Sequence, residues 1–338
     1  MGFKFLVGKT LLLKNKILVV GDAIVNDKTF EIIERHLHVV KIEPIRLKSI
    51  LSNETDFKAI WIHLDTFIDE SLLATIKEIP YLISTTTGLT HICREALDYY
   101  GPNLICLKNR NRLLSKVTST AEHTWMLIMS WNNHVEKSFE SVFNGYWKRS
   151  QFFRASQLST KTLGVIGFGR LGRMVASYGL AFKMKVLIYE IDKAAILAAK
   201  ENEFEVVHSI NELFLKSDII SIHASFNKGS GPIVTKEILS LASKPMLLVN
   251  TARGGLVDEA AVIQQVKANP QLYYYTDVLM FEDDGGELQD SKLWKFSLTE
   301  ERIKISPHIG GANLEAAFLC EIELLEALLD KLDSPPSI

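Results

Sequence analysis

The segment Leu163-Gly164-Val165-Ile166-Gly167-Phe168-Gly169-Arg170-Leu171-Gly172 constrains this chain more than any other. An apolar strand running into Gly-x-Gly-x-x-Gly builds a cradle for a dinucleotide pyrophosphate. Glycine makes the tight turn, lets the phosphates approach the backbone, and lets the following helix pack close. The helix expected over about Leu171 to Phe182 aims its free N-terminal amides and positive dipole end at those phosphates. A bare Gly-x-Gly-x-x-Gly also punctuates strand-turn-helix connections that bind no nucleotide, so context decides. A second strand, Lys185-Val186-Leu187-Ile188-Tyr189-Glu190, follows and ends on a carboxylate about twenty positions past Gly167, where an acid grips the adenine-ribose hydroxyls. Glu190 can bond a free 2′-hydroxyl and repels a 2′-phosphate. Ile191-Asp192-Lys193 supplies no arginine to offset that repulsion, so NAD is expected rather than NADP.

The 338 residues fit two domains, and 47% hydrophobic content suffices for two cores. A net charge of −2 with interspersed signs gives no electrostatic case for nucleic acid or an anionic membrane. Cys93, Cys106 and Cys320 are odd in number and lack metal-type spacing, so reduced core thiols and no metal site are expected. The partly apolar stretch Phe5 to Val20 is interrupted by Lys9, Lys14 and Lys16, and Gly2 is followed by Leu6 where a myristoylation motif needs Ser or Thr. With no apolar run of spanning length, a cytoplasmic location is expected.

Short apolar runs alternate with helical stretches, the rhythm of parallel α/β sheets. Ile17 to Val20, Ala59 to Leu64, Tyr81 to Ser84 and Leu104 to Leu107 form a first set of strand candidates. The second set is Leu163 to Ile166, Val186 to Tyr189, Ile219 to His223, Met246 to Asn250, Tyr273 to Val278 and Ile303 to Ser306. Between the sets a helix is expected from Ser119 to about Lys137, linking the domains, its Trp and Met residues serving packing. A last helix is expected over Asn313 to Leu332, ahead of Pro335 and Pro336.

Three polar residues follow strand ends, where open α/β sheets place ligands: Arg253, Glu282 and His308. Arg253, in Asn250-Thr251-Ala252-Arg253-Gly254-Gly255-Leu256-Val257-Asp258, offers a planar fork of donors suited to a carboxylate. His308, in Ser306-Pro307-His308-Ile309-Gly310-Gly311, is of the residue type that exchanges a proton with an alcohol near neutrality, and a carboxylate such as Glu282 can hold its imidazolium form. Each alone reads as an ordinary surface group; together, after a nucleotide cradle, they read as a site.

These motifs, with Ser119-Thr120-Ala121-Glu122-His123-Thr124 before them, make the chain resemble the D-isomer-specific 2-hydroxyacid dehydrogenase family, from about Lys58 to Glu315. The resemblance implies two Rossmann-like or flavodoxin-like α/β domains with parallel sheets. The NAD-binding domain, 118–311, would be inserted into a discontinuous substrate domain, 1–117 plus 312–338. It implies an NAD-dependent oxidoreductase interconverting a D-2-hydroxy acid and its 2-oxo acid, with Arg253, Glu282 and His308 catalytic. Thr87 and Gly88 join Arg253 and His308 in substrate binding. Gly167, Gly169, Gly172, Glu190 and the amides of Arg170 and Leu171 hold the dinucleotide. His223, Ala224, Thr251, Ala252, Arg253, His308 and Gly310 line its nicotinamide side, and Asp277 meets the carboxamide. Domain closure would exclude water, and a homodimer is expected from the family's habit. An NAD(H)-sensing, corepressor-like binding protein is the alternative, opposed by the intact catalytic trio.

The chain departs from the family pattern at three places. Thr86 stands where the carboxylate-binding loop usually has its first glycine, Ser225 where His-x-Pro has proline, and Asp283 where Glu-Pro has proline. The first is expected to reshape the pocket and the others to loosen loops near the nicotinamide. Trp61-Ile62-His63-Leu64-Asp65, where relatives often present arginine, supplies only His63, which disfavours a phosphorylated substrate.

Overall fold

The computed structural model describes residues 14–54, 56–153, 155–284 and 286–333. The expectations at Gly2, Phe5, Leu6, Lys9, Pro335 and Pro336 lie outside them. The chain divides into two compact units, one from the described residues of Met1–Lys116 and Leu314–Ile338, the other Val117–Asn313.

The first unit carries β1 (Lys16–Val20), β2 (His38–Ile42), β3 (Ala59–Ile62), β4 (Tyr81–Ser84) and β5 (Asn103–Cys106) in one parallel sheet, ordered β2-β1-β3-β4-β5. Both faces of this sheet are covered, so its central strand β3 is buried at every position. Strand β2 is missing from the sequence expectation. It is an edge strand in which only Ile42 is buried, so it carries no continuous apolar run. The helix Leu314–Asp333 belongs to this unit, burying Ala316, Cys320, Leu324, Leu325 and Leu328, and Glu323 Oε1 lies 2.6 Å from Arg110 Nη1.

The second unit holds β6 (Thr162–Ile166), β7 (Lys185–Tyr189), β8 (Glu205–Val206), β9 (Ile219–Ile222), β10 (Met246–Asn250), β11 (Leu272–Thr276) and β12 (Ile303–Ile305). All pair in parallel in the order β12-β11-β10-β9-β6-β7-β8. The two-residue β8 escapes a sequence reading for the same reason as β2. Helices start where short polar side chains cap free amides: Asp192 Oδ1 accepts from Ala195 N, Ser209 Oγ from Glu212 N, and Asp258 Oδ1 from Ala261 N.

The expected single helix over Ser119 to Lys137 is two helices, Ser119–Asn133 and Val135–Phe143, broken at His134, whose backbone is left-handed (φ 51°). The first lies within the second unit. It buries Trp125, Ile128 and Trp131, and the Trp125 indole donates to the Val175 carbonyl at 3.3 Å. Among the described residues no helix is long and apolar enough to cross a membrane, and no group of three His, Cys, Asp or Glu could hold a metal ion. Cys93 and Cys106 are partly exposed and only Cys320 is buried, which corrects the expectation of three core thiols.

Candidate active site

Because the seven strands run parallel, their carboxyl ends share one edge, and the sequence motifs of the second unit stand along it in spatial order. After β12 comes His308, after β11 Asp277 and Glu282, after β10 Thr251 to Arg253, after β9 His223 and Ala224, after β6 the glycine loop, and after β7 Glu190. Five strand spacings span roughly 24 Å, enough for an extended dinucleotide with a small molecule at one end. The glycine loop occupies the point where the chain order reverses, β6 lying between β9 and β7, which is the ligand-binding crevice of open α/β sheets.

The glycine loop is shaped by missing side chains. Gly167 has φ 92°, and a Cβ there would lie 2.8 Å from the His223 carbonyl oxygen and the Ala224 nitrogen. A Cβ on Gly172 would meet the Gly167 carbonyl oxygen at 2.0 Å. At Gly169, which caps the helix Arg170–Ala181, a Cβ would meet nothing within 4 Å. Open space in front of free helix amides is what a pyrophosphate requires. Glu190 stands beside this loop: its Oε2 accepts from Phe168 N at 2.6 Å, and its Oε1 from Ile191 N at 2.6 Å and Asp192 N at 2.9 Å. The acid expected at the ribose therefore also braces the turn. Arg170 Nη1 donates to the Val117 carbonyl at 2.8 Å.

Arg253 is held from behind by Asn250, a fully buried side chain at the end of β10. Asn250 Oδ1 accepts from Ala252 N at 3.0 Å and its Nδ2 donates to the Arg253 carbonyl at 2.8 Å, which fixes the turn Thr251–Arg253. Thr251 shares a buried 2.8 Å hydrogen bond with the Thr124 hydroxyl. A Cβ on Gly254 would sit 2.1 to 2.4 Å from backbone atoms of Leu279 and Met280, so glycine lets the Arg253 turn press against the segment that leads into Glu282.

Glu282 has one oxygen on each side of the chemistry. Oε1 accepts from Leu279 N at 2.6 Å, which fixes the carboxylate, and Oε2 pairs with Nδ1 of His308. Both side chains are about a quarter exposed. His308 adopts a left-handed backbone, φ 54°, which costs an L-residue about 1–2 kcal/mol and persists only where neighbours impose it.

Asp277, expected at a nicotinamide carboxamide, is 1% exposed and largely taken up by its own chain. Oδ1 accepts from Ser306 Oγ at 2.5 Å and Ile309 N at 3.0 Å, Oδ2 accepts from Gly310 N at 2.7 Å, and His123 Nε2 lies 3.1 Å from Oδ1. Burial pushes the carboxyl up, but the donors from His123, Ser306 and Gly310 outweigh it and hold Asp277 below the ordinary aspartate value.

His223 is kept neutral by burial, which lowers its pKa to about 3. Its Nε2 pairs with Ser221 Oγ at 2.7 Å, and its buried Nδ1 has no partner among the described residues. In the first unit, Thr86 does more than replace a glycine. Its hydroxyl is 2.8 Å from Ser84 Oγ and donates to the Gly88 carbonyl at 2.7 Å, tying down the loop that carries Thr87 and Gly88. Asn250, His123 and Ser306 were absent from the sequence-derived site. All three lie inside quoted motifs, but only contacts across sequence separations of up to 183 residues assign them work.

The sequence pattern of the D-isomer specific 2-hydroxyacid dehydrogenase NAD binding domain matches residues 125–310. Hydroxypyruvate reductase of Thermotoga maritima is 31% identical over 215 residues, 63% of this chain and 66% of that protein. D-3-phosphoglycerate dehydrogenase of Mycobacterium leprae is 28% identical over 273 residues, 81% of this chain and 48% of that protein. This chain thus spans about two thirds or less of the length of these relatives. The fold is shared with D-lactate dehydrogenase from Aquifex aeolicus, solved with NAD and lactic acid, at TM-score 0.75 and 24% identity over 94% of this chain and 95% of that one. With the NAD-binding domain matched over more than half its length, the chain belongs to the D-isomer specific 2-hydroxyacid dehydrogenase family.

Proposed function

We propose that this protein is an NAD-dependent oxidoreductase interconverting a small D-2-hydroxy acid and its 2-oxo acid. The observation that carries the reading is the Glu282–His308 pair, set on the same sheet edge as the Arg253 turn and the glycine loop. Bound NAD(H) would supply or accept the hydride at C2, held by Gly167, Gly169, Gly172, Glu190 and the residues following β9 and β10. Glu282 occupies His308 Nδ1, which leaves Nε2 to face the substrate oxygen. In reduction, protonated His308 gives its Nε2 proton to the C2 oxygen while Arg253 stabilises the negative charge developing there. In oxidation, neutral His308 takes the hydroxyl proton. Arg253 also orients the carboxylate.

The absence of arginine in Trp61 to Asp65 favours an unphosphorylated acid. The test is NADH consumption with pyruvate, glyoxylate, hydroxypyruvate and a phosphorylated 2-oxo acid. Turnover with one of the first three, exceeding that with the phosphorylated acid, is expected. NADH binding without turnover on any acid would instead mark an NAD(H)-sensing, corepressor-like protein. A homodimer is supported by the helix Val135–Phe143, which has no buried residue and leaves Phe139, Val142 and Phe143 exposed. Light scattering of wild type and Phe143→Glu tests it: a dimer mass that falls to the monomer is expected, and a monomeric wild type would refute it.

A further inference from the structure

A second histidine–carboxylate arrangement lies behind the first. Ser306 Oγ donates to Asp277 Oδ1 at 2.5 Å and lies 2.9 Å from His123 Nε2, so the histidine N–H, the serine hydroxyl and the buried carboxylate form one chain of hydrogen bonds. The carboxylate at its end also receives the amides of Ile309 and Gly310, the two residues that follow His308. Gly310 is packed so closely that a Cβ would come 2.9 Å from Asp277 Oδ2. His123 is 10% exposed at its side chain, and its helix, Ser119–Asn133, brings it from more than 180 residues away in sequence.

We infer that His123 and Ser306 are positioning residues for His308, acting through Asp277 to hold the Ser306–Gly310 loop in the left-handed backbone that presents the imidazole; this rests on the reading of His308 as the acid/base. The protons can be assigned without conflict. His123 Nε2–H is shared between Ser306 Oγ at 2.9 Å and Asp277 Oδ1 at 3.1 Å, while Ser306 Oγ–H points to Asp277 Oδ1, Ile309 N–H to Oδ1 and Gly310 N–H to Oδ2. Ser306, Ile309 and Gly310 alone fill three of the four lone-pair positions of the carboxylate, and His123 reaches it as well, so its main work is on its own chain. A residue in a strained conformation stays there only when its neighbours over-determine it, and here the two amides after His308 are fixed to a carboxylate buried in the unit. Ser306 orients that carboxylate, and His123 orients both of them.

The experiment has two readouts. Hydrogen exchange on the protein without added cofactor reads the Ile309 and Gly310 amides directly. Wild type should protect them, and Ser306→Ala and His123→Leu should speed their exchange while peptides covering β10 keep theirs. In NADH-dependent reduction the same variants should lose kcat on the order of tenfold to a hundredfold, as expected for a misplaced acid, with NADH affinity within about twofold of wild type. Ser306→Thr and His123→Gln, which keep a hydroxyl and an N–H donor, should recover most of both properties. Unchanged exchange at 309–310 together with wild-type kcat in Ser306→Ala would overturn the inference. So would a loss confined to NADH affinity, which would return the cluster to cofactor recognition. If wild type itself turns over no 2-oxo acid, the proposed function fails, while the exchange result still decides whether the network holds the loop.

Discussion

Asp277 in the second unit and Glu321 in the first are buried to the same degree, at 1% and 2% exposure, yet they are displaced in opposite directions. Asp277 is held below the ordinary aspartate value although burial opposes it, because His123, Ser306 and the Gly310 amide donate to it. Glu321 is raised: burial pushes its carboxyl up, and the Thr29 side chain with the amides of Val25 and Asn26 offsets this only in part. Glu321 Oε1 accepts from Val25 N at 2.9 Å, while Oε2 has no partner among the described residues. The balance between burial and the strength of the donors, rather than burial alone, therefore sets the direction in which a buried carboxyl is displaced. Asp277 sits behind the His308 loop, and Glu321 joins the helix Leu314–Asp333 to the turn before the helix Asp27–His36.

The contrast is broken most directly by neutralising each group. Asp277→Asn should cost about 3 kcal/mol of stability, since one charge-assisted acceptor is lost and an amide N–H₂ is turned against existing donors. It should also remove most NADH-dependent turnover by releasing the His308 loop. Glu321→Gln should stay within about 1 kcal/mol of wild type, because the amide oxygen still accepts from Val25 and no charge remains to be desolvated. Urea unfolding of both variants at neutral pH checks the pair, and equal costs would mean that burial alone governs both sites.

Acidification sharpens the same contrast through its sign. The Asp277 value is depressed, so the unfolded chain binds its proton more readily. The stability it contributes is present above the unfolded aspartate value near 3.9 and is lost as pH falls through the folded one. The gap between wild type and Asp277→Asn should thus narrow on the acid side of about pH 4. The Glu321 value is raised, so the folded chain binds the proton more readily, and stability falls as pH rises from the unfolded glutamate value near 4.3 through the folded value. Glu321→Gln should therefore gain on wild type between about pH 4.3 and neutrality. Denaturant midpoints at several pH values read both trends, and parallel slopes in the two variants would contradict the opposite displacements.

What the sequence made legible follows the same division between backbone rules and long-range partners. Gly167, Gly169 and Gly172 are visible because they form one short spaced pattern after an apolar strand, although the backbone that would meet a Cβ on Gly167 belongs to His223 and Ala224, more than fifty residues on. Arg253, Glu282 and His308 are visible only in combination, because each follows an expected strand of the set that carries the glycine loop. The edge strand β2 and the two-residue β8 were hidden because they bury too little to leave an apolar run. The helix end at His134 was hidden because no glycine or proline marks it, although histidine is one of the side chains that tolerate a left-handed backbone. Asn250, His123 and Ser306 could not be given work from sequence. A buried hydrogen bond between residues 183 positions apart has no local pattern, and Asn250 acts on a turn whose shape is itself tertiary.

Glu190 supplies the smallest and most discriminating expectation, because this third carboxylate combines two roles. It accepts from three backbone amides, one of them Phe168 in the glycine loop, and it is the carboxylate proposed to meet the adenine ribose, where its charge would repel a 2′-phosphate. Glu190→Gln keeps an oxygen acceptor and removes the charge. If repulsion sets cofactor choice, the preference for NADH over NADPH should narrow by up to about tenfold, near 1.4 kcal/mol, with the NADH KM little changed. If bracing the loop dominates, the amide N–H₂ faces a backbone donor and both cofactors should weaken together with their ratio intact. Steady-state kinetics with each cofactor at fixed 2-oxo acid separates the cases. A ratio that holds while both KM values rise would leave Glu190 as a brace and place the source of cofactor choice elsewhere along the edge after β7.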